Sequence, residues 1–253
     1  TPSATPLAQT GMSLTKIRKF TAVLRVPYWR QALRRHRVAA AAEHAVALRA
    51  LGSCSMVVDI GANRGQFALL AHECFPNAKI FSFEPLPIPA ACFRRVFAAE
   101  PGVILHEVAI GPVADEVTIH ISKRDDSSSL LPITENQNTH FPGTAEAGTA
   151  KVKIGPLSDF ITKEQIQPPA LLKLDVQGFE LQALHGCESL LDRFAYVYVE
   201  CSFIELYAGQ ALAHEVVAWL EARGFRLSGT HNMNYDASGR ELQADFLFTA
   251  NRT

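Results

Sequence analysis

Cysteine is scarce and irregularly placed: Cys54, Cys74, Cys92, Cys187 and Cys201 are odd in number, widely spaced and never arranged as C-x-x-C. This excludes a disulfide framework, a zinc ribbon and a thioredoxin-type centre, and points to a reducing compartment with these side chains in the core. No apolar run approaches the roughly 18 residues of a spanning helix. A basic-then-apolar start with a cleavage site is also missing, so a cytoplasmic location is the expectation. Net charge is small too, with 24 basic against 25 acidic residues and a formal charge of -1. What remains, 48% hydrophobic and 19% charged residues in 253 without internal repeats, excludes disordered, collagen-like and solenoid classes. A chain of this size can bury a core without help from metal or disulfide.

The balanced charge hides an asymmetry. Residues 1–50 carry nine lysines and arginines and one acid, Glu43, which leaves fifteen basic against twenty-four acidic residues beyond position 50. Leu14, Ile17, Phe20 and Leu24 recur at helical spacing among those basic residues before Pro27-Tyr28-Trp29 breaks the pattern. Two readings follow: a basic amphipathic helix making peripheral contact with an anionic membrane, or a helical arm lying on the domain with its charges solvated. Residues 1–50 are therefore read as a basic helical arm, 1–11 as a disordered leader, and 51–253 as the main domain.

From residue 38 a helix is expected through Leu51, ended by Gly52. Beyond it short apolar runs alternate with amphipathic ones, the signature of βαβ units and a mostly parallel sheet with helices on both faces. Strands are expected at Met56–Ile60, Lys79–Phe83, Val103–Ala109, Leu171–Leu174, Ala195–Val199, Phe225–Gly229 and Asp245–Thr249, and a helix over Gly65–Phe75. Between 111 and 155, EVTIHIS and KVKI read as a hairpin inserted in the sheet order with a long Ser/Thr/Asn/Gly-rich loop, expected to be mobile and to cover a site. The last two apolar stretches form a closing antiparallel hairpin.

The strongest chemical signal is VVDIGANRGQF, residues 57–67, in which a buried strand ends at Asp59 and passes through Gly61 and Gly65 into a helix. Such a turn binds nucleosides, because glycine permits close approach and the helix N-terminus offers free N–H groups. Nineteen residues past Gly65, Glu84 ends the second strand, where a carboxylate can accept both ribose hydroxyls. A dinucleotide site needs a glycine where Asn63 stands, and an anionic Asp59 at the mouth would repel diphosphate. S-adenosylmethionine carries a sulfonium and an ammonium instead of phosphate, and Asp59 favours both. The rivals are an NAD(P)-dependent oxidoreductase, disfavoured by Asn63, and a non-catalytic nucleoside-binding module, disfavoured by four acids at strand ends.

In LLKLDVQGFE, residues 171–180, Asp175 ends a mid-chain strand where an open sheet builds its crevice. Glu200 ends the neighbouring strand in YVYVE. Asp175 and Glu200 together could hold a divalent cation such as Mg or a hydroxylated substrate, and Asp175 is favoured as base or metal ligand. Glu180 is read either as an acceptor contact or as a helix first-turn acid complementing the dipole. His231, after a strand, is a second base candidate, and Ser127, Ser128 and Ser129 are placed to bond acceptor hydroxyls or to be solvated. No nucleic acid partner is expected, since the acidic main domain would repel phosphate.

Seven ordered blocks, DIGANRGQ, FEP, VAIG (108–111), SSSL (127–130), PLSDF (156–160), KLDVQGFE and VYVE, resemble the FkbM-like S-adenosylmethionine-dependent methyltransferases over residues 55–250. The resemblance implies a Rossmann-like α/β fold of the class I methyltransferases: a seven-stranded, mostly parallel sheet with a reversed C-terminal hairpin. It further implies O-methylation of a sugar, glycolipid or polyketide-type hydroxyl. It places the methionine end of the cofactor near Asp59, Gly61, Ala62, Asn63, Gly65 and Gln66, the ribose on Glu84 beside Pro85, and the adenine near Ala109. Asp175, Glu180 and Glu200 would face the acceptor. Ser158, where the family usually has leucine, and the length of the 130–150 loop depart from the pattern.

Overall fold

The computed structural model describes residues 26–251. The amphipathic reading of Leu14 to Leu24 and the leader reading of 1–11 lie outside the described residues. Pro27-Tyr28-Trp29 opens a helix, α1 (Pro27–His36), which corrects its reading as a break. Proline at the first helical position sacrifices no intrahelical N–H, and its fixed φ suits the first turn. Arg34, Arg35 and His36 complement the dipole at the other end. Arg37, at φ 59°, then ends the helix in a left-handed cap, donating to the Leu33 carbonyl while Val38 donates to that of Ala32. Trp29 is buried and its Nε1 donates to the Leu69 carbonyl at 3.0 Å, which fixes this segment to the domain.

The single helix expected over 38–51 shrinks to a 3₁₀ turn at Ala42–His44 and α2 (Ala45–Ala50). Val38 and Ala40 are buried on either side of exposed Ala39, an alternation that suits extended chain. Ala41 N–H donates to the Gln66 carbonyl at 3.0 Å and holds the extended stretch against the start of α3 (Gln66–Cys74).

The main sheet has seven strands in the order β3-β2-β1-β7-β8-β10-β9. These are β1 (Met56–Ile60), β2 (Lys79–Phe83), β3 (Val103–His106), β7 (Ala170–Leu174), β8 (Tyr196–Ser202), β9 (Phe225–Tyr235) and β10 (Glu241–Ala250). All pairs are parallel except those made by β10, which runs antiparallel to β8 and β9. β1 pairs with β2 on one side and β7 on the other, so the strand order reverses beside it and a crevice opens at the strand C-termini.

Strand alternation sends the two faces of the sheet to two cores. Val57, Ile80, Leu171, Tyr198 and Leu247 pack with α1, α2, α3 and α4 (Pro87–Val96). Met56, Val58, Ile60, Leu172 and Val199 pack with α6 (Glu180–Cys187) and α7 (Ala213–Glu221).

The strand expected over 103–109 divides: after β3 the chain turns at Glu107 and Val108, and β4 (Ala109–Ile110) joins a separate sheet. With β5 (Asp115–Ser122) and β6 (Glu146–Gly155) it makes three strands in the order β4-β6-β5. The inserted hairpin therefore builds its own sheet, attached through Leu86, Ile119 and Val152, rather than entering the main one. Its connection is also less irregular than composition implies: it contains a 3₁₀ turn at Asp125–Ser127 and α5 (Glu135–His140), whose N-cap Thr134 accepts the Gln137 N–H.

Candidate active site

A cavity of about 610 Å³ opens at the C-terminal ends of β1, β2 and β7. That volume lies in the ordinary range for a small-molecule site. Of the residues expected to bind a cofactor, Gly61, Ala62, Asn63, Gln66, Glu84, Pro85, Ala109 and Asp175 line it. Gly65 supports the wall from behind: at φ 93°, it has no room for a Cβ, which would fall 2.5 Å from the Phe97 ring. Gly61 is equally constrained, at φ 79° with a notional Cβ 1.9 Å from the Asp175 carbonyl oxygen.

The backbone amides of the turn between β1 and α3 itself, residues 61–65, are all engaged. Gly61 and Ala62 both donate to the Phe83 carbonyl, Asn63 donates to Glu84 Oε2 at 2.9 Å, Arg64 to the side chains of Asn63 and Gln66, and Gly65 to the Ala62 carbonyl. With all five N–H groups engaged inside the turn, it is no nest for a diphosphate. Glu84 also accepts the Leu86 N–H on Oε1 at 2.7 Å, so each carboxylate oxygen receives one backbone donor and keeps lone-pair capacity for a hydroxyl. Burial, reinforced by repulsion from Asp125 and Asp59, raises the Glu84 carboxyl to about 7 despite those two amides.

Asp59 is not at the mouth, which corrects the electrostatic reading. It is completely buried one residue behind the cavity floor and does not line the cavity. Lys173 Nζ sits 3.1 Å from its Oδ1, 3.1 Å from the Gly61 carbonyl and 3.8 Å from Asp175 Oδ2. The approach to Asp59 is an ion pair without hydrogen-bond geometry, and neither Asp59 oxygen has a hydrogen-bond donor among the described residues. Burial pushes the Asp59 carboxyl above its ordinary range while Lys173 pulls it back. Five other acids line the cavity, Glu43, Glu84, Asp125, Asp126 and Asp175, with Lys173 alone among lysines and arginines; Asp125 and Asp126 are paired with Arg64 and Arg124, which lie outside the lining.

Asp175 is about one third exposed and accepts Gln177 Nε2 on Oδ1 at 2.7 Å. The same amide nitrogen donates to Glu200 Oε2 at 3.1 Å, and Gln243 Nε2 donates to Glu200 Oε1 at 2.6 Å. An amide donor thus bridges the two carboxylates proposed to share a cation, and occupies the bridging position itself. Among the described residues no group of three or more His, Cys, Asp or Glu side chains is arranged to hold a metal ion. Glu200 lies outside the cavity lining; burial, then repulsion from Asp175, Asp245 and Glu180, drives it well above the usual carboxylate range.

Glu180 does not line the cavity. Its Oε1 accepts the N–H groups of Val176 and Gly178 at 3.0 and 3.1 Å, which closes the loop after β7, and burial raises it to about 7. His231 lies within β9 rather than after it, paired in register with Asp245, and does not line the cavity. Of the three serines expected near the acceptor, Ser128 and Ser129 line the cavity and Ser127 does not. Ser129 Oγ donates to the Gln177 carbonyl at 2.6 Å and accepts from Leu131, while Ser128 Oγ accepts the Ser122 N–H and keeps its own proton. Of the long connection, residues 125–130 reach the cavity, tied to the glycine turn by Arg64 Nε on Asp125 at 2.9 Å.

Sequence reasoning missed Lys173, Gln177 and Tyr207. Gln177 stands at φ 54° and is the hub of the loop: its Oε1 also accepts the Tyr207 hydroxyl at 2.7 Å. Lys173 lies on β7 two residues before Asp175 and pairs in register with Asp59 of β1. Also missed was the segment before β1, which supplies Leu33, Ala39, Ala40, Ala41, Glu43 and His44 to the wall.

The seven-stranded, mostly parallel sheet with its reversed final hairpin, carrying a cavity at the strand C-termini, has the Rossmann-like class I methyltransferase fold. The family model for the methyltransferase FkbM domain matches residues 59–227, and the chain belongs to that family of methyltransferases. Among its relatives, 2-O-methyltransferase NoeI of Sinorhizobium fredii is 29% identical over 161 residues, 61% of this chain and 66% of that protein. The 31-O-demethyl-FK506 methyltransferase FkbM of Streptomyces tacrolimicus is 28% identical over 198 residues, 67% of this chain and 72% of that protein. A crystal structure from Klebsiella pneumoniae, provisionally assigned as an O-methyltransferase, superposes with TM-score 0.51 at 10% identity over 93% of this chain and 97% of that one; this likeness concerns the fold.

Proposed function

We propose that this chain is an S-adenosylmethionine-dependent O-methyltransferase acting on a hydroxyl of a sugar, glycolipid or polyketide-type acceptor. The observation that carries the reading is the cavity wall, where Glu43, Glu84 and Asp175 stand with Lys173 while Asp125 and Asp126 are paired with Arg64 and Arg124, over a turn whose amides at 61–65 are all engaged. Such a wall favours a cationic nucleoside and disfavours a diphosphate. The two relatives named above act on oxygen, as their names state, which supports a hydroxyl acceptor.

The residues fit the cofactor. Glu84 would accept the ribose hydroxyls on its free lone pairs. Apolar Leu86, Val108, Ala109, Ile110 and Phe179 would sandwich the adenine, and Gly61, Asn63 and Gln66 would border the methionine end. Bound there, S-adenosylmethionine supplies an electrophilic methyl group. Asp175, fixed by Gln177 and Lys173, places its negative charge beside the reacting centre, where it favours the cationic donor and can accept from the acceptor hydroxyl. The protein's chief contribution is alignment, since in-line displacement demands a near-attack geometry.

The test is calorimetry with S-adenosylhomocysteine and, separately, NADH. Incubation with radiolabelled methyl donor and fractionated glycan, glycolipid and small-molecule extracts, with and without chelator, then reports acceptor class and metal need. Micromolar S-adenosylhomocysteine binding with no NADH binding supports the reading, and the reverse overturns it. Asp175→Asn should lower turnover at least 100-fold with cofactor affinity nearly unchanged; wild-type turnover removes its role.

A further inference from the structure

His44 enters the cavity from the segment that precedes the sheet, and its surroundings are those of a base rather than of a packing residue. Its Nδ1 lies 3.1 Å from Asp245 Oδ2, 3.0 Å from the Tyr198 hydroxyl and 3.2 Å from Asn232 Nδ2. Tyr198 and Asn232 donate to Asp245 Oδ2, at 3.1 and 2.7 Å, and His44 Nδ1 pairs with the same carboxylate oxygen. Burial pushes the Asp245 carboxyl up, but the hydrogen bonds from His44, Asn232 and Tyr198 outweigh it and hold the group below its ordinary range. In the tautomer that puts the ring proton on Nδ1, facing Asp245, Nε2 carries the lone pair. Nε2 makes no hydrogen bond among the described residues, while His44 lines the cavity. The ring is held edge-on between Phe67 and Tyr198, with centroids 5.7 and 5.6 Å away.

We infer that His44, oriented by Asp245, is the general base that takes the proton of the acceptor hydroxyl. This rests on the methyltransferase reading above and assigns the base within it. As the acceptor oxygen forms its bond to the methyl carbon, the carbon–sulfur bond breaks with its electron pair left on sulfur. The hydroxyl proton passes to His44 Nε2, so the positive charge lost by sulfur reappears as an imidazolium paired with Asp245. Asp175 is less suited to that proton: Gln177 Nε2 donates to it and the Lys173 ammonium stands 3.8 Å away. His44 also explains why the preceding segment is sewn to the domain by Trp29 and Ala41: without that anchoring the base would not be held over the cavity.

Three measurements decide the matter, using the full chain and methyl glycosides as acceptor probes. Calorimetry with S-adenosylhomocysteine comes first: if wild type does not bind it, the methyltransferase reading fails and the base falls with it. If wild type and His44→Gln bind alike within about twofold, His44→Gln should lose at least 100-fold in kcat, in the range of general-base contributions. Retention of wild-type kcat overturns the assignment of His44 alone. Nitrogen-15 NMR of histidine-labelled protein is independent of any acceptor: it should show Nδ1 protonated and Nε2 bare in the neutral ring, and a proton on Nε2 overturns the proposal. Asp245→Asn, a change in a positioning residue, should raise the Nε2–H population and move the acid limb of the kcat profile to lower pH. The other charged or titratable groups around the ring, Glu43, Tyr198, Asp59 and Lys173, remain in that variant. An unmoved limb and an unchanged tautomer would refute the role of Asp245.

Discussion

Replacing Lys173 with methionine isolates the electrostatics under the cavity floor. The ammonium is nearly buried and Asp59 fully so, 3.1 Å apart. At an effective dielectric of about 20 their attraction is on the order of 5 kcal/mol. Its removal leaves Asp59 without a cation or a hydrogen-bond donor, and the side chain will then protonate rather than remain charged. This caps the penalty. At pH 7, protonating a carboxyl whose unfolded value is about 3.9 costs roughly 4 kcal/mol, and at pH 5 about 1.5 kcal/mol. The folded variant holds a proton that its unfolded chain has released, so its stability falls as pH rises above about 4 and the deficit relative to wild type widens towards neutrality. At roughly 2–4 °C per kcal/mol for a domain of this size, Tm should drop by about 8–16 °C at pH 7 and by a third to a half of that at pH 5. Thermal and urea melts followed by circular dichroism at both pH values measure this. Asp59→Asn combined with Lys173→Met has no acid left to titrate there, so its deficit should be nearly equal at the two pH values. A Lys173→Met deficit below about 1 kcal/mol, or one that does not change with pH, would refute the reasoning.

Glu84→Gln should weaken S-adenosylhomocysteine about 30-fold, the equivalent of roughly 2 kcal/mol for hydrogen bonds to a charged group; an unchanged Kd in calorimetry would break the ribose assignment. Because burial raises Glu84 to about 7, wild-type affinity should climb as pH passes through neutrality and the carboxylate forms, while its contribution to stability declines over the window from its ordinary 4.5 up to about 7. Trp29→Ala should cost about 3–5 kcal/mol by denaturant melts, since the indole is buried and bonded to Leu69; a loss under 1 kcal/mol would mean that α1 only rests on the domain. His231→Gln should leave turnover within about twofold, because its ring lies in the β9 ladder away from the cavity lining; a 100-fold loss would restore it as a base.

Strand positions were readable because the apolar runs are short and bounded, and VVDIG, IFSFEP and LLKLD fall on β1, β2 and β7 with their acids at the C-terminal ends. The same local logic failed at Val103–Ala109. Nothing in VILHEVAI marks the place where the chain leaves one sheet for another; that is decided by β6, more than forty residues away, pairing with Ala109 and Ile110. It failed again at 38–51, where helix-favouring alanines are pulled extended by burial of alternate side chains and by a hydrogen bond to Gln66. Tertiary partners overrode propensity in both places.

The candidate site divides along a similar line. Asp175, Glu84 and the glycine turn sit where their strand-end positions imply, but whether a carboxylate offers itself to a ligand depends on which donors have already claimed it. Glu180 and Glu200 end or follow strands in the right place, yet two backbone amides claim Oε1 of Glu180, two glutamine side chains claim the oxygens of Glu200, and Asp59 is committed to Lys173. The converse holds for His44. It sits in a stretch whose charge pattern reads as a surface arm, and only the approach of β10, two hundred residues later, brings Asp245 to its Nδ1. The sequence reading places an anionic Asp59 at the mouth for a cationic donor, and that acid is buried instead, while other acids line the cavity. Those are Glu43, Asp125, Asp126 and Asp175 together with Glu84, because an acid at the end of a buried strand is more readily neutralised by a lysine across the ladder than exposed at the rim.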